Sequence, residues 1–114
     1  MKTMFAATAA FALLFATELR ADEWTDCYDY LTAENYNSAY AACTAAAEQG
    51  EILAETALGE MYEQGLGVVQ DYAEAVRWYR AAAEQGFAYA QYSLGRMYEQ
   101  GLGVVQDYAE AVRW

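Results

Sequence analysis

The chain of 114 residues contains no proline and no histidine, and it has only two cysteines and one lysine. Without proline, nothing in the sequence breaks a helix from inside. Without histidine, histidine-based acid–base catalysis and histidine–zinc sites are excluded. β-Branched residues are also sparse, whereas alanine, the best helix former, supplies much of the 57% apolar content. The composition therefore predicts an all-α protein.

Basic side chains are scarce as well, with 6 against 17 acidic ones and a net charge of −11. Nucleic-acid binding needs basic contacts that release counterions, so we expect no nucleic-acid partner. The excess of acidic side chains also disfavours binding to anionic membrane surfaces. We interpret the excess of acidic side chains as a solvated surface that aids solubility. The alternative is an acidic surface that selects a basic partner.

The first 21 residues have the pattern of an export signal. Lys2 supplies the positive end, residues 4–16 form an apolar run, and a short polar stretch ends at Ala21, where we place the cleavage. The run has 13 residues, fewer than the ~20 of a membrane-spanning helix, although a retained anchor is the main alternative. Cleavage would leave a charge of −12 and no lysine. We therefore predict an exported protein, periplasmic or secreted, with no membrane insertion after signal removal.

An internal repeat is the most informative feature of the sequence. Residues 61–78 and 97–114 carry the same eighteen letters, MYEQGLGVVQDYAEAVRW, at an offset of 36 residues. Periods of about 20–50 residues are typical of repeat architectures, in which each unit needs a neighbour to bury its apolar face. The repeat therefore predicts a stacked scaffold that presents a surface.

Helical periodicity and capping signals define the repeating unit. Small and apolar residues at helical spacing predict helices over Ile52–Gln64, Tyr72–Gln85 and Ala88–Gln100. Asp71 and Glu74 form a predicted capping box before the second of these helices, and the next copy repeats it. The unit is thus helix, loop, helix and a terminating glycine.

We divide the chain into a signal peptide (1–21), a degenerate N-terminal hairpin (22–50), a full repeat (51–86) and a second, truncated repeat (87–114). The first helix of the degenerate hairpin is predicted at about Glu23–Leu31. The second repeat stops two turns into its second helix. One alternative is therefore that the chain is a fragment of a longer repeat protein without independent function.

Two cysteines, Cys27 and Cys43, lie in the predicted mature part. An even cysteine count in an exported chain indicates a disulfide. Across a hairpin that turns near residue 33 or 34, the two positions lie within a helical turn of facing each other. We predict a disulfide, and two buried free thiols are the alternative.

The run from Ala54 to Gly86 has the pattern AxxALGxMYxxGxGVxxDxxxAxxWYxxAxxQG. It resembles the Sel-one-like (Sel1-like) repeat, a 36-residue relative of the tetratricopeptide repeat. The resemblance covers residues 51–114 strongly and 35–50 less well. It implies an α/α superhelical solenoid that serves as an adaptor or scaffold for protein complexes, with a protein or peptide partner. In bacteria, such proteins often act in the envelope, in host interaction or in signalling.

Repeat-defining positions are expected to be structural rather than functional. Gly59 and Gly95 lie inside predicted helices, where glycine lowers helix stability by about 1 kcal/mol relative to alanine. Such a residue is expected where no side chain fits, so we expect the second helix of the repeat to pack closely there. Trp78 and Tyr79 should lie near this crossing. The full set is Leu58, Gly59, Met61, Tyr62, Gly65, Gly67, Asp71, Ala75, Trp78, Tyr79, Gly86, Leu94, Gly95, Met97, Tyr98, Gly101, Gly103, Asp107, Ala111 and Trp114.

Positions that differ between the two copies suggest where a partner binds. They lie off the packing stripe of the first helix of each unit, and first helices line the concave face in tetratricopeptide-like solenoids. We hypothesise that Glu55, Glu60, Tyr92 and Arg96 border a peptide-binding groove. The alternative is that they are merely exposed and free to vary.

No arrangement of residues in the sequence indicates catalysis. The only serines, Ser38 and Ser93, begin no S-x-x-K motif. Glu60 and Glu63 lie one turn apart and are interpreted as a solvated face rather than a Ca²⁺ site. We predict no enzyme, no cofactor and no metal. The resemblance leaves one enzymatic alternative, because some cysteine-rich secreted members are linked to binding or slow hydrolysis of penicillin-like drugs, as in a β-lactamase.

Overall fold

The computed structural model describes residues 24–114, and the predicted signal peptide lies outside this range. Within it the chain forms six helices and no strand. They are α1 (24–32), α2 (Tyr36–Glu48), α3 (Ile52–Gln64), α4 (Tyr72–Glu84), α5 (Ala88–Gln100) and α6 (Tyr108–Arg113). From α2 onward each helix packs against the next, which stacks the hairpins in chain order. The predicted all-α solenoid is confirmed.

Helix boundaries follow the local signals closely. The observed bounds of α3 and α5 are the predicted ones. Helix α4 ends at Glu84, one residue early, because Gln85 leaves the α conformation. The backbone N–H of Gln85 donates to the carbonyl of Ala82, and that of Gly86 donates to the carbonyl of Ala83. Helix α1 continues one residue beyond Leu31.

The core consists of two buried clusters in which half of the residues are alanine. One cluster joins α1, α2 and α3, and the other joins α4 and α5. Their largest apolar members are leucine and methionine at equivalent positions of the two copies: Leu58, Met61, Leu94 and Met97. Alanine lets the helix backbones approach closely, so the few large side chains fill the remaining space.

The predicted capping box is only half formed. The Asp71 carboxylate accepts a 3.2 Å hydrogen bond from the backbone N–H of Glu74, as a cap should. The Glu74 side chain does not return to the cap, because the Asp71 N–H already donates to the carbonyl of Tyr62. Glu74 instead pairs with Arg77 at 3.1 Å. The second copy, at Asp107, has the same arrangement.

Each loop between the two helices of a repeat rests on the preceding repeat. Gly67 has φ +71°, and a Cβ there would lie 2.2 Å from the carbonyl oxygen of Tyr36 at the start of α2. Gly103 has φ +72°, and a Cβ there would lie 2.4 Å from the same atom of Tyr72 at the start of α4. The loop glycines therefore let each loop dock directly on the previous hairpin.

A disulfide joins the helices of the N-terminal hairpin. Cys27 of α1 and Cys43 of α2 are bonded, their Cα atoms lie 4.6 Å apart, and both residues are fully buried. The cross-link holds α1 against α2, which packs on α3.

Candidate partner-binding surface

The four residues proposed to border a groove lie on α3 and α5, but their environments differ. Glu55 is only 5% exposed, and its carboxylate accepts a 2.8 Å hydrogen bond from the side-chain amide of Gln85. Burial raises the pKa of Glu55, and the hydrogen bond partly opposes this effect. The hypothesis that Glu55 borders a binding groove is therefore corrected, because the end of α4 covers it.

Glu60 links the first helices of the two repeats. It is half-buried on α3, and its carboxylate accepts a hydrogen bond from the hydroxyl of Tyr89 on α5. This hydrogen bond, with burial as the second cause, raises the pKa of Tyr89 to about 12. Half of the Tyr89 residue stays exposed.

A second link between the repeats is centred on Glu63. Its carboxylate accepts a hydrogen bond of 2.7 Å from the hydroxyl of Tyr79 and a charged hydrogen bond from the guanidinium of Arg96. Burial, followed by this carboxylate, raises the pKa of the Tyr79 hydroxyl. The Glu63 side chain is only 14% exposed, so the interpretation of Glu60 and Glu63 as a fully solvated pair is wrong. Both carboxylates are occupied by side chains of later helices.

The exposed part of this region is a tyrosine face, made of Tyr89, Tyr92 and Arg96 on α5. The residues are spaced i, i+3 and i+7 and therefore lie on one side of the helix. Tyr89 is 50% exposed and Tyr92 is 67% exposed. Two of the four proposed residues, Tyr92 and Arg96, thus belong to one surface, and Glu60 supports it from α3.

The two mid-helix glycines explain the shape of the surface next to this face. A Cβ on Gly59 would lie 2.7 Å from the ring of Tyr79, which therefore packs directly against α3 at this point. The close approach of the second helix at Gly59 is as expected, and the nearest aromatic ring is that of Tyr79 rather than Trp78. A Cβ on Gly95 would lie 3.0 Å from the backbone oxygen of Ala111 and 3.6 Å from the Cβ of Trp114.

A groove of about 460 Å³ lies between α5 and the end of α6. Its walls include Gln91, Tyr92 and Arg96 from α5 and Trp114 after α6. The tyrosine face and this groove form one continuous surface, because Tyr92 and Arg96 belong to both. Among residues 24–114, no three histidine, cysteine or acidic side chains lie close enough together to hold a metal ion.

Comparisons with known proteins agree with this architecture. The profile described as "Sel1 repeat" matches residues 52–87 and 88–114. The crystal structure of a Sel1 repeat protein from Oxalobacter formigenes is 41% identical with a TM-score of 0.67, over 68% of this chain and 60% of that one.

A second similar structure is c5321, described as a protective antigen of uropathogenic Escherichia coli strains displaying an SLR fold. It is 37% identical with a TM-score of 0.82, over 87% of this chain and 22% of that one. The chain thus spans less than two thirds of either solved structure. No curated protein matches the chain at a significant level.

Proposed function

Because the chain belongs to the Sel1 repeat family, whose members generally mediate protein interactions, we propose that it is a scaffold that binds a protein partner through the tyrosine face. The observation that carries the proposal is the exposure of Tyr89 and Tyr92 on one side of α5, beside Arg96, whose guanidinium is paired with Glu63. Tyrosine and arginine are enriched among the residues that dominate binding energy at interfaces.

The charge of the chain supports a protein partner rather than a nucleic acid. Acidic side chains outnumber basic ones by 17 to 6, and one of the few basic groups, Arg96, is already paired with Glu63. Phosphate backbones require several free basic contacts. The tyrosine face offers hydroxyl groups and ring surface instead, which suits peptide groups and apolar side chains.

The experiment is affinity capture from an envelope extract of the source cells, using immobilised protein. Substitution of both Tyr92→Ala and Arg96→Ala is expected to reduce recovery of the specific partner at least about tenfold. The matched control replaces an exposed tyrosine and arginine elsewhere, Tyr28→Ala and Arg77→Ala. Equal recovery by both variants, with wild-type helicity in circular dichroism, would contradict the proposal.

Export of the chain is the second part of the proposal. Three features support it: the signal-like pattern of residues 1–21, the disulfide between α1 and α2, and the similarity to an antigen of uropathogenic Escherichia coli. Disulfides persist in oxidising compartments. None of the helices in residues 24–114 has the length and apolarity to cross a membrane.

We expect the full chain, expressed in a bacterial host, to be recovered from the periplasm or medium with Ala21 removed and Asp22 at its N-terminus. Intact-mass measurement of each cell fraction tests this expectation. Replacing Lys2 and the apolar run with polar residues should retain the protein in the cytoplasm. An uncleaved chain of wild-type sequence in the cytoplasmic fraction would show that the export assignment is mistaken.

A further inference from the structure

Two tyrosine hydroxyls meet where the N-terminal hairpin packs on the first full repeat. Tyr40 lies on α2 and Tyr62 lies on α3, and their oxygen atoms form a hydrogen bond of 2.8 Å. The ring centroids are 6.0 Å apart, and the ring planes are nearly perpendicular, at 85°. Each hydroxyl is attached to the carbon between the two Cε atoms of its ring. The Cε atoms of the two rings therefore lie at the same contact.

Packing restrains both rings at this contact. Tyr40 and Tyr62 are partly buried against the core cluster that joins α1, α2 and α3. Tyr62 also packs against the cluster of α4 and α5, so its ring contacts both cores. Close packing of this kind leaves a side chain few orientations. Neither tyrosine is fully buried, so a small oxidant can approach the pair from solvent.

The equivalent junction between the two repeats lacks this pair. Tyr98 stands in the place of Tyr62, within the identical eighteen-residue copy, but Val76 stands in the place of Tyr40. The hydroxyl of Tyr98 accepts a hydrogen bond from the guanidinium of Arg80 instead. The paired phenols are thus a feature of the first junction and not of the repeat motif.

Adjacent phenols can be joined by oxidation. Loss of one electron and one proton from each phenol gives two phenoxyl radicals, whose unpaired electrons are shared with the Cε atoms. Coupling of the radicals forms one Cε–Cε bond, and each ring becomes aromatic again when the hydrogen on that Cε moves to the phenol oxygen. The pair loses two hydrogen atoms in total. Hydrogen peroxide, activated by a haem peroxidase, accepts the two electrons and two protons and becomes two water molecules.

We propose that Tyr40 and Tyr62 are a modification site, at which peroxide-dependent oxidation converts the hydrogen-bonded pair into a dityrosine cross-link. Coupling within the chain is favoured over coupling between chains, because well-oriented intramolecular reactions have effective molarities of about 10⁵–10⁸ M. The hydrogen bond with Tyr40, followed by burial, raises the pKa of Tyr62 to about 12, so Tyr62 is a neutral phenol near pH 7. The new bond joins α2 to α3, as the disulfide joins α1 to α2.

The experiment treats the full chain, at low concentration, with a haem peroxidase and an equimolar amount of hydrogen peroxide. The monomer, isolated by size exclusion, should show dityrosine fluorescence and an intact mass lower by two hydrogen atoms. Cleavage after glutamate places the two tyrosines in separate peptides, 35–48 and 61–63. After reduction of the disulfide, these two peptides should still be recovered as one linked product.

Phenylalanine variants assign the cross-link to its residues. Tyr40→Phe and Tyr62→Phe each keep the ring but remove the phenol, so each should abolish the linked product. The matched controls are Tyr36→Phe, which lies in the same peptide as Tyr40, and Tyr98→Phe, which is equivalent to Tyr62. Both controls should give the wild-type yield, and circular dichroism should show wild-type helicity for all four variants.

The consequence for the fold is measured on the cross-linked monomer in reductant. It should unfold at a higher denaturant concentration than the untreated chain, because a bond between α2 and α3 restricts the unfolded state. An unchanged midpoint would overturn the stabilising effect of the link. No linked product in the monomer, a product that persists in Tyr40→Phe or Tyr62→Phe, or links found between chains alone would overturn the modification site.

Discussion

Gly67→Ala is expected to lower the free energy of unfolding by about 3 kcal/mol or more, a large part of the ~5–15 kcal/mol typical of a domain. Two costs add. The left-handed backbone at φ +71° disfavours any residue with a Cβ. The new Cβ would also lie 2.2 Å from the carbonyl oxygen of Tyr36, and a backbone atom cannot rotate away. The loop must therefore lift off α2. Chemical denaturation followed by circular dichroism measures the loss.

Gly50→Ala is the matched control for this substitution. Gly50 has φ +85°, but nothing lies within 4 Å of the position of its Cβ. It therefore carries the left-handed cost alone, about 1 kcal/mol. The difference between the two variants isolates the contact between the loop and the preceding hairpin. Equal losses would show that the Gly67 loop does not rest on Tyr36 in solution.

Removal of the disulfide is expected to lower the free energy of unfolding by about 3 kcal/mol, the value for a loop of ~15 residues. Cys27 and Cys43 are separated by 16 positions, and the cross-link restricts the unfolded chain. We expect the double substitution Cys27→Ala and Cys43→Ala to match wild-type protein in reductant. Denaturant titration of all samples under oxidising and reducing conditions measures the effect.

The control for this prediction is the double variant itself, whose stability should not respond to reductant. Thiol titration of unfolded, unreduced wild-type protein should find no free thiol. Two titratable thiols per chain, or equal stability with and without reductant, would contradict the disulfide. Because the disulfide ties α1 to α2, we expect the amides of α1 to lose the most protection from hydrogen exchange on reduction.

Local features of the fold could be predicted because their signals are local. The bounds of α3 and α5 follow from apolar periodicity and from glycines that terminate each helix with positive φ, at Gly65 and Gly101. The Asp71 cap follows from residue type and spacing. The predicted return contact by Glu74 is wrong, because the carbonyl of Tyr62 accepts from the Asp71 N–H and Arg77 pairs with the Glu74 carboxylate.

Some residues that hold the repeats together had a signal that the sequence analysis did not use. Gln70 donates to the carbonyl of Glu63 at 2.7 Å, and Gln106 makes the equivalent bond to Glu99 at 2.8 Å. Both glutamines lie in the identical eighteen-residue copies, so their retention indicated a role. The buried Glu63 carried the same signal, but its helical spacing from Glu60 also fitted a solvated face.

The sequence by itself determined the solenoid, its period and the ends of its helices, because these depend on backbone preference and on spacing within a few residues. Only the tertiary structure decided which side chains are free to bind. Glu55 is covered by the end of α4, whereas Tyr92 on α5 is exposed. Burial is set by whichever element packs on a position, and spacing along the sequence does not show which element that is.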